Sequence, residues 1–159
     1  MELLSPTMED YLEAIWRLSL KHKVARVKDV AKMLGVRTAS VIGALKTLAE
    51  KDLIVHEKYG YIELTPQGEE EAQKIYRKHQ AIARFFHEVL GVDPETAASD
   101  ACRFEHYISK ETLDRMTKFV EFIETCPEGE PLWLHSFYHF YKYGVRPAVC
   151  KKKAGGDKK

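Results

Sequence analysis

Apolar side chains recur at helical spacing from the start of the chain. Met8, Tyr11, Leu12, Ile15 and Leu18, with Ser19, share one side of a helical wheel. Ser5 and Pro6 read as an N-cap and first-turn proline, with Thr7 and Asp10 as an alternative capping box. A short helix over about 27–34, "VKDVAKML", is stopped by Gly35. A third, over about 38–51, buries Val41, Leu45 and Leu48 at i, i+4 and i+7. Then the period changes: "LIVHEKYGYIELT" holds two runs rich in β-branched and aromatic residues around Lys58-Tyr59-Gly60, the pattern of a hairpin. Pro66 opens a long helix to about Leu90 with Gly91 as its stop. Pro94 starts another to about Tyr107. Ser109 caps one through about Thr125, with Leu113, Met116, Val120 and Ile123 on one face.

Pro127, Gly129 and Pro131 interrupt the pattern before "LWLHSFYHFYKYG", where Trp133, Phe137, Phe140 and Tyr141 are expected to pack as an aromatic helix. The tail "KKKAGGDKK" has no apolar face and is expected to be disordered. Helix, helix–turn–helix and hairpin in that order predict a winged helix–turn–helix. The expected fold is therefore mainly α: a winged DNA-binding domain over 1–65, a helical domain over 66–125, and an aromatic segment with a basic tail over 126–159.

Composition adds a division of charge. The net charge is +1, yet residues 21–60 hold nine Lys/Arg against four Asp/Glu, and residues 61–125 hold eight against thirteen. A basic third beside an acidic middle suits a polyanion and a carboxylate-rich site respectively. No apolar run approaches the roughly 20 residues of a membrane span, and no secretion signal opens the chain. Three widely spaced cysteines do not make a disulfide framework, so a reduced, cytoplasmic setting is expected.

If residues 38–51 read DNA, the side opposite the buried stripe faces the groove. It carries Ala39, Ile42, Gly43, Lys46 and Glu50, with Ser40 and Thr47 at its edge. Small residues let the backbone approach the bases, and Ala39 or Ile42 suits a thymine methyl. Arg37 and Thr38 stand at the helix N-terminus, while Arg26, Lys28 and the wing's Lys58 suit phosphates. The plainer reading of Lys46 and Lys58 is solubility alone.

The stretch "ACRFEH" sets Cys102, Glu105 and His106 within one turn of a helix. The wheel puts Ala98, Ala101, Cys102 and Glu105 on one stripe, with His106 at its edge and Arg103 opposite. In the long helix His79 is centred among Ala72, Ile75, Tyr76, Ile82, Ala83 and Phe86. An inward carboxylate is costly unless it has a cation, a hydrogen-bond network or a proton. A single inward histidine is more often a satisfied core residue, but inward thiol, carboxylate and imidazole together suit a transition metal. In the first helix Asp10 and Glu13 lie away from the core stripe, one turn apart. They form either a solvated face with Arg17 nearby or further ligands.

"PTMEDYLEAIWRL", "VKDVAKMLGVRTASVIGALKTL", "YGYIELTPQG", "YRKHQAIARFF" and "CRFEHYIS" together resemble the metal-dependent repressors of the diphtheria toxin repressor and manganese transport regulator family. The resemblance covers about residues 5 to 125 and implies that the helical domain over 66–125 is a metal-binding and dimerisation domain. It implies a homodimer that binds divalent metal, then double-stranded operator DNA, and represses metal-uptake genes. It also implies Asp10, Glu13, His79, Cys102, Glu105 and His106 as a joint ligand set. Asp10 is similar to the manganese branch of the family and Cys102 to the iron branch. Fe(II) or Mn(II) is the expected metal, with Zn(II) or Co(II) as binders in vitro, and Fe(II) slightly favoured. Ala83 and Ala98 stand near where the iron branch has ancillary ligands. That branch's SH3-like third domain is not expected here.

A second zinc site at Cys126, His135, His139 and Cys150 is an alternative reading, against which their irregular spacing counts, and His22, His56 and His87 are expected to be surface or structural. An enzyme is not expected, since no hydrolase motif such as H-E-x-x-H accompanies the cluster. The remaining alternative is a winged-helix regulator that senses a small organic ligand, with the cluster as a structural polar network.

Overall fold

The computed structural model describes residues 4–22, 24–56 and 61–148. The chain divides into two compact units, Met1–Lys78 and His79–Lys159.

In the first unit, helix α1 runs Pro6–His22, with the Met8 and Glu9 amides bonded to the Ser5 carbonyl. Strand β1 (Ala25–Arg26) leads into α2 (Val27–Leu34), which ends at Gly35 with φ 66°. Then come α3 (Thr38–Glu50), β2 (Ile54–His56) and β3 (Tyr61–Leu64). The three strands form an antiparallel sheet ordered β1-β3-β2, with Ala25 opposite Ile62 and Val55 opposite Glu63. The two-residue β1 is too short to show a period, and it docks the start of α2 against the wing. The expected turn Lys58-Tyr59-Gly60 lies outside the described residues. One core joins these elements through Leu12, Ile15, Val30, Val41, Leu45, Leu48 and Ile62.

Helix α4 (Pro66–Arg84) starts from a built junction. The Thr65 hydroxyl donates to the Asp52 carbonyl at 2.6 Å and accepts from the Gly68 amide at 3.0 Å. A Cβ on Gly68 would come within 1.8 Å of the Leu53 carbonyl oxygen, so only glycine fits. The "LTPQG" stretch thus fastens α4 to the turn after α3.

In the second unit, α4 does not continue as a regular helix to Leu90. Residues Phe85–Val89 form a π-helical turn. Two adjacent rings of this turn meet different partners: Phe85 meets Phe119 at 6.2 Å and Phe86 meets Phe104 at 5.7 Å. Gly91, at φ 70°, ends the segment. Helix α5 (Pro94–Phe104) stops about three residues before the expected end, and α6 (Lys110–Glu124) is capped by Ser109, whose hydroxyl accepts from Thr112 N. Helix α7 (Leu132–Tyr143) follows. Its packing differs from expectation. Leu134 and Tyr138 face Val89, Val120, Ile123 and Phe85, and the Trp133 ring meets Phe119 at 5.8 Å as expected, while Phe137, Phe140 and Tyr141 are exposed, Tyr141 by 80%. Apolar and aromatic residues on every side leave no contrast from which to read the buried stripe. Cys150 and the basic tail lie outside the described residues. No helix among the described residues is long and apolar enough to cross a membrane.

Candidate metal centre and nucleic-acid interface

In the first unit, Tyr11 through Ile15 are all buried, so α1 has no exposed side over this stretch. Glu13 is only 5% exposed and Asp10 half-buried. A simple solvated face is therefore excluded for Glu13, although Arg17 Nη1 does reach its Oε1 at 3.4 Å. A buried carboxylate must be balanced by positive charge or donors.

In the second unit, Ala97, Ala101 and Glu105 form the buried stripe of α5 at i, i+4 and i+8. The two alanines leave room beside the carboxylate, and Glu105 is fully buried. Its Oε2 lies 3.0 Å from Nδ1 of buried His79. Its Oε1 lies 3.9 Å from His106 Nε2, beyond hydrogen-bond reach, and has no hydrogen-bond partner among the described residues. Such an orphaned buried oxygen is rare and calls for an occupant. A carboxylate whose two oxygens each face a different imidazole is a donor set that a divalent cation satisfies, so these residues fit the metal that the resemblance implies. Cys102 stands elsewhere than the wheel puts it. Its side chain is exposed, because the buried stripe runs through Ala101 and position 102 lies about 100° round the helix.

The candidate DNA-reading residues form one exposed face of the first unit. On α3 Thr38, Ala39, Ser40, Ile42, Gly43 and Lys46 are all exposed, while Val41, Ala44, Leu45 and Leu48 are buried. Arg37 precedes the helix in extended conformation, and no side chain caps it. An uncapped N-terminus offers backbone N–H groups to a phosphate. Lys46 lies 4.0 Å from Glu50, and Lys28 is exposed. Arg26 is held in a way its sequence context does not reveal. Cross-strand pairing sets it opposite Tyr61, its guanidinium 5.2 Å from the ring centroid and Nη2 3.4 Å from the hydroxyl. Lys58 lies outside the described residues.

Comparison with known proteins agrees with this organisation. Residues 3–62 match the model of the iron dependent repressor N-terminal DNA binding domain, and residues 65–134 that of the iron dependent repressor metal binding and dimerisation domain. The chain is 32% identical over 126 residues to the HTH-type transcriptional regulator MntR of Bacillus pumilus, covering 79% of this chain and 87% of that protein. It is 39% identical over 120 residues to an uncharacterised HTH-type transcriptional regulator of Methanocaldococcus jannaschii, covering 74% and 95%. Among solved structures, T. acidophilum IdeR superposes with a TM-score of 0.67 at 26% identity, over 83% of this chain and 61% of that one. The manganese regulator SloR gives 0.65 at 30%, over 78% and 58%. The chain thus spans about three fifths of those two structures. Two family models covering most of the sequence, together with these relatives, establish that the chain belongs to the iron-dependent repressor family, whose members are metal-dependent, DNA-binding transcriptional regulators and not enzymes.

Proposed function

We propose that this protein represses metal-uptake genes as a homodimer on double-stranded operator DNA, activated by Fe(II) or Mn(II), in the cytoplasm. The observation that carries the reading is Glu105: fully buried, one oxygen on His79, the other without a donor and facing His106. His79, Glu105 and His106, with Asp10, Glu13 and Cys102, are the proposed ligands. A bound divalent cation would supply the positive charge that buried carboxylates require. Carboxylate and imidazole suit Mn(II) and Fe(II), and the Cys102 thiolate would tilt the preference toward later ions such as Zn(II) or Co(II) in vitro. Neutralised, the carboxylates no longer repel one another or an approaching polyanion. On the DNA side, Arg26, Lys28, Arg37 and the uncapped start of α3 are the proposed phosphate contacts. Thr38, Ala39, Ser40, Ile42, Gly43 and Lys46 face the bases, and Lys58 of the wing joins the phosphate set. The homodimer accords with the dimerisation-domain match and with the exposed Phe104, Tyr107, Phe122 and Leu132.

The test is anaerobic binding to DNA upstream of metal-transporter genes, titrated with Fe(II), Mn(II) and Zn(II) and with a chelator control. Metal is expected to raise affinity about 5- to 150-fold, the usual range of allosteric coupling. Equal binding in chelator rejects the reading. It would favour a sensor of a small organic ligand, for which the second unit has a cleft of about 410 Å³ lined by Phe86, Leu90, Val92, Phe104 and Tyr107 together with the charged Asp100 and Arg103.

A further inference from the structure

Strand register brings Arg26 and Tyr61 together. In the β1–β3 ladder Ala25 stands opposite Ile62, and Arg26 opposite Tyr61. Ala25 and Ile62 are both fully buried. Successive strand residues alternate sides, so Arg26 and Tyr61 share the outer side of the sheet. There the guanidinium carbon lies 5.2 Å from the ring centroid, within the ~6 Å reach of a cation–π contact. The backbone of Arg26 is fixed as well, since this residue precedes α2 in extended conformation at φ −120° and ψ 146°. Arg26 is exposed, and among the described residues it forms no ion pair.

That the partner is a ring matters for charge. A carboxylate also holds a guanidinium, as Glu111 holds Arg115 at 2.8 Å, but it cancels much of the charge that attracts a phosphate. A neutral ring orders the side chain and leaves the charge intact. Apart from the Nη2 hydrogen near the Tyr61 hydroxyl at 3.4 Å, the guanidinium N–H donors stay available. Ordering in advance also reduces the entropy lost when a long side chain is immobilised on binding. We infer that Tyr61 is a positioning residue for DNA binding, its ring holding the Arg26 guanidinium ready for a backbone phosphate. This rests on the proposed role of Arg26 as a phosphate contact and adds to it an aromatic residue of the wing that acts through Arg26.

Fluorescence anisotropy is read on a labelled mixed-sequence DNA duplex with Mn(II) present, because phosphate contacts carry no sequence information. Arg26→Ala is expected to weaken binding and to reduce the slope of log affinity against log salt by about 0.9. Tyr61→Leu is expected to weaken binding about 2- to 5-fold, the equivalent of an exposed cation–π contact. In the Arg26→Ala background the same change is expected to cost nothing, an outcome that a merely structural role would not produce. Tyr61→Phe keeps the ring and is expected to bind as the wild type does. Nuclear magnetic resonance reads the contact without DNA. The ring is expected to shift the Arg26 δ-proton signals upfield in the wild type and in Tyr61→Phe, and not in Tyr61→Leu. If Arg26→Ala changes neither affinity nor slope, Arg26 leaves the phosphate set and the inference falls with it. Four results overturn the inference alone while Arg26 keeps its role: no loss in Tyr61→Leu, an equal loss in both backgrounds, Tyr61→Phe as weak as Tyr61→Leu, or Arg26 signals that do not respond to the ring.

Discussion

At the scale of single residues, Glu105 has two oxygens in different circumstances: Oε2 lies within hydrogen-bond distance of His79 Nδ1, and Oε1 meets no donor. Glu105→Gln keeps the volume and removes the charge. The metal-free variant is expected to melt at or above the wild-type temperature, since a buried charge is removed. Added Mn(II) or Fe(II) should stabilise the wild type by about 2.7 kcal/mol at a hundredfold excess over Kd, and the variant far less. Differential scanning calorimetry with and without metal reads both effects, and an equal rise in the variant would contradict the ligand role. The inward direction of Glu105 and His79 was legible from helical spacing alone. Burial of Glu13 was not, because a wheel shows only one element, and here five successive residues are covered. Cys102 misled for a related reason. Positions 101 and 102 are 100° apart, and the alanine rather than the cysteine occupies the buried stripe.

At the scale of elements, the junction from β3 into α4 depends on close backbone approach. Gly68→Ala would press a methyl into the Leu53 carbonyl, which is backbone and cannot swing aside. Destabilisation of about 3 kcal/mol is expected, at the upper end of ordinary overpacking, measurable by urea denaturation. The start of α5 supplies a pH dependence. Hydrogen bonds from Thr96 to the Asp93 carboxylate hold its pKa below the ordinary aspartate value. A carboxyl with a depressed folded pKa stabilises fully above its unfolded pKa and loses that contribution as pH falls through the folded pKa. Asp93→Asn keeps an acceptor for the cap and is expected to flatten the acid limb of stability against pH, read from melts below the ordinary aspartate pKa. Most elements were readable because caps, prolines and glycines mark their ends. Strand β1 escaped because two residues show no alternation, and the face of α7 escaped because aromatic residues surround it.

At the scale of the whole molecule, the basic and acidic thirds fall in different places. The basic stretch supplies the exposed Arg26, Lys28 and Arg37 of the first unit. Removing one phosphate-binding cation should reduce the slope of log affinity against log salt by about 0.9. Lys28→Ala is therefore expected to weaken binding similarly on all sequences and to flatten that slope. Fluorescence anisotropy over a salt series checks it; an unchanged slope would remove Lys28 from the interface. The π-helical turn at Phe85–Val89 has a consequence for how chains of this kind are compared. Such a turn fits one more residue into a helix than regular bonding allows. Deleting one residue within it would let the segment relax to ordinary α-helix while the Gly91 stop and the helices beyond keep their places. A correct alignment to a relative without the turn therefore opens a one-residue gap inside a helix, where gaps are normally penalised. Misplacing that gap would shift every position from Pro94 onward, Glu105 and His106 among them.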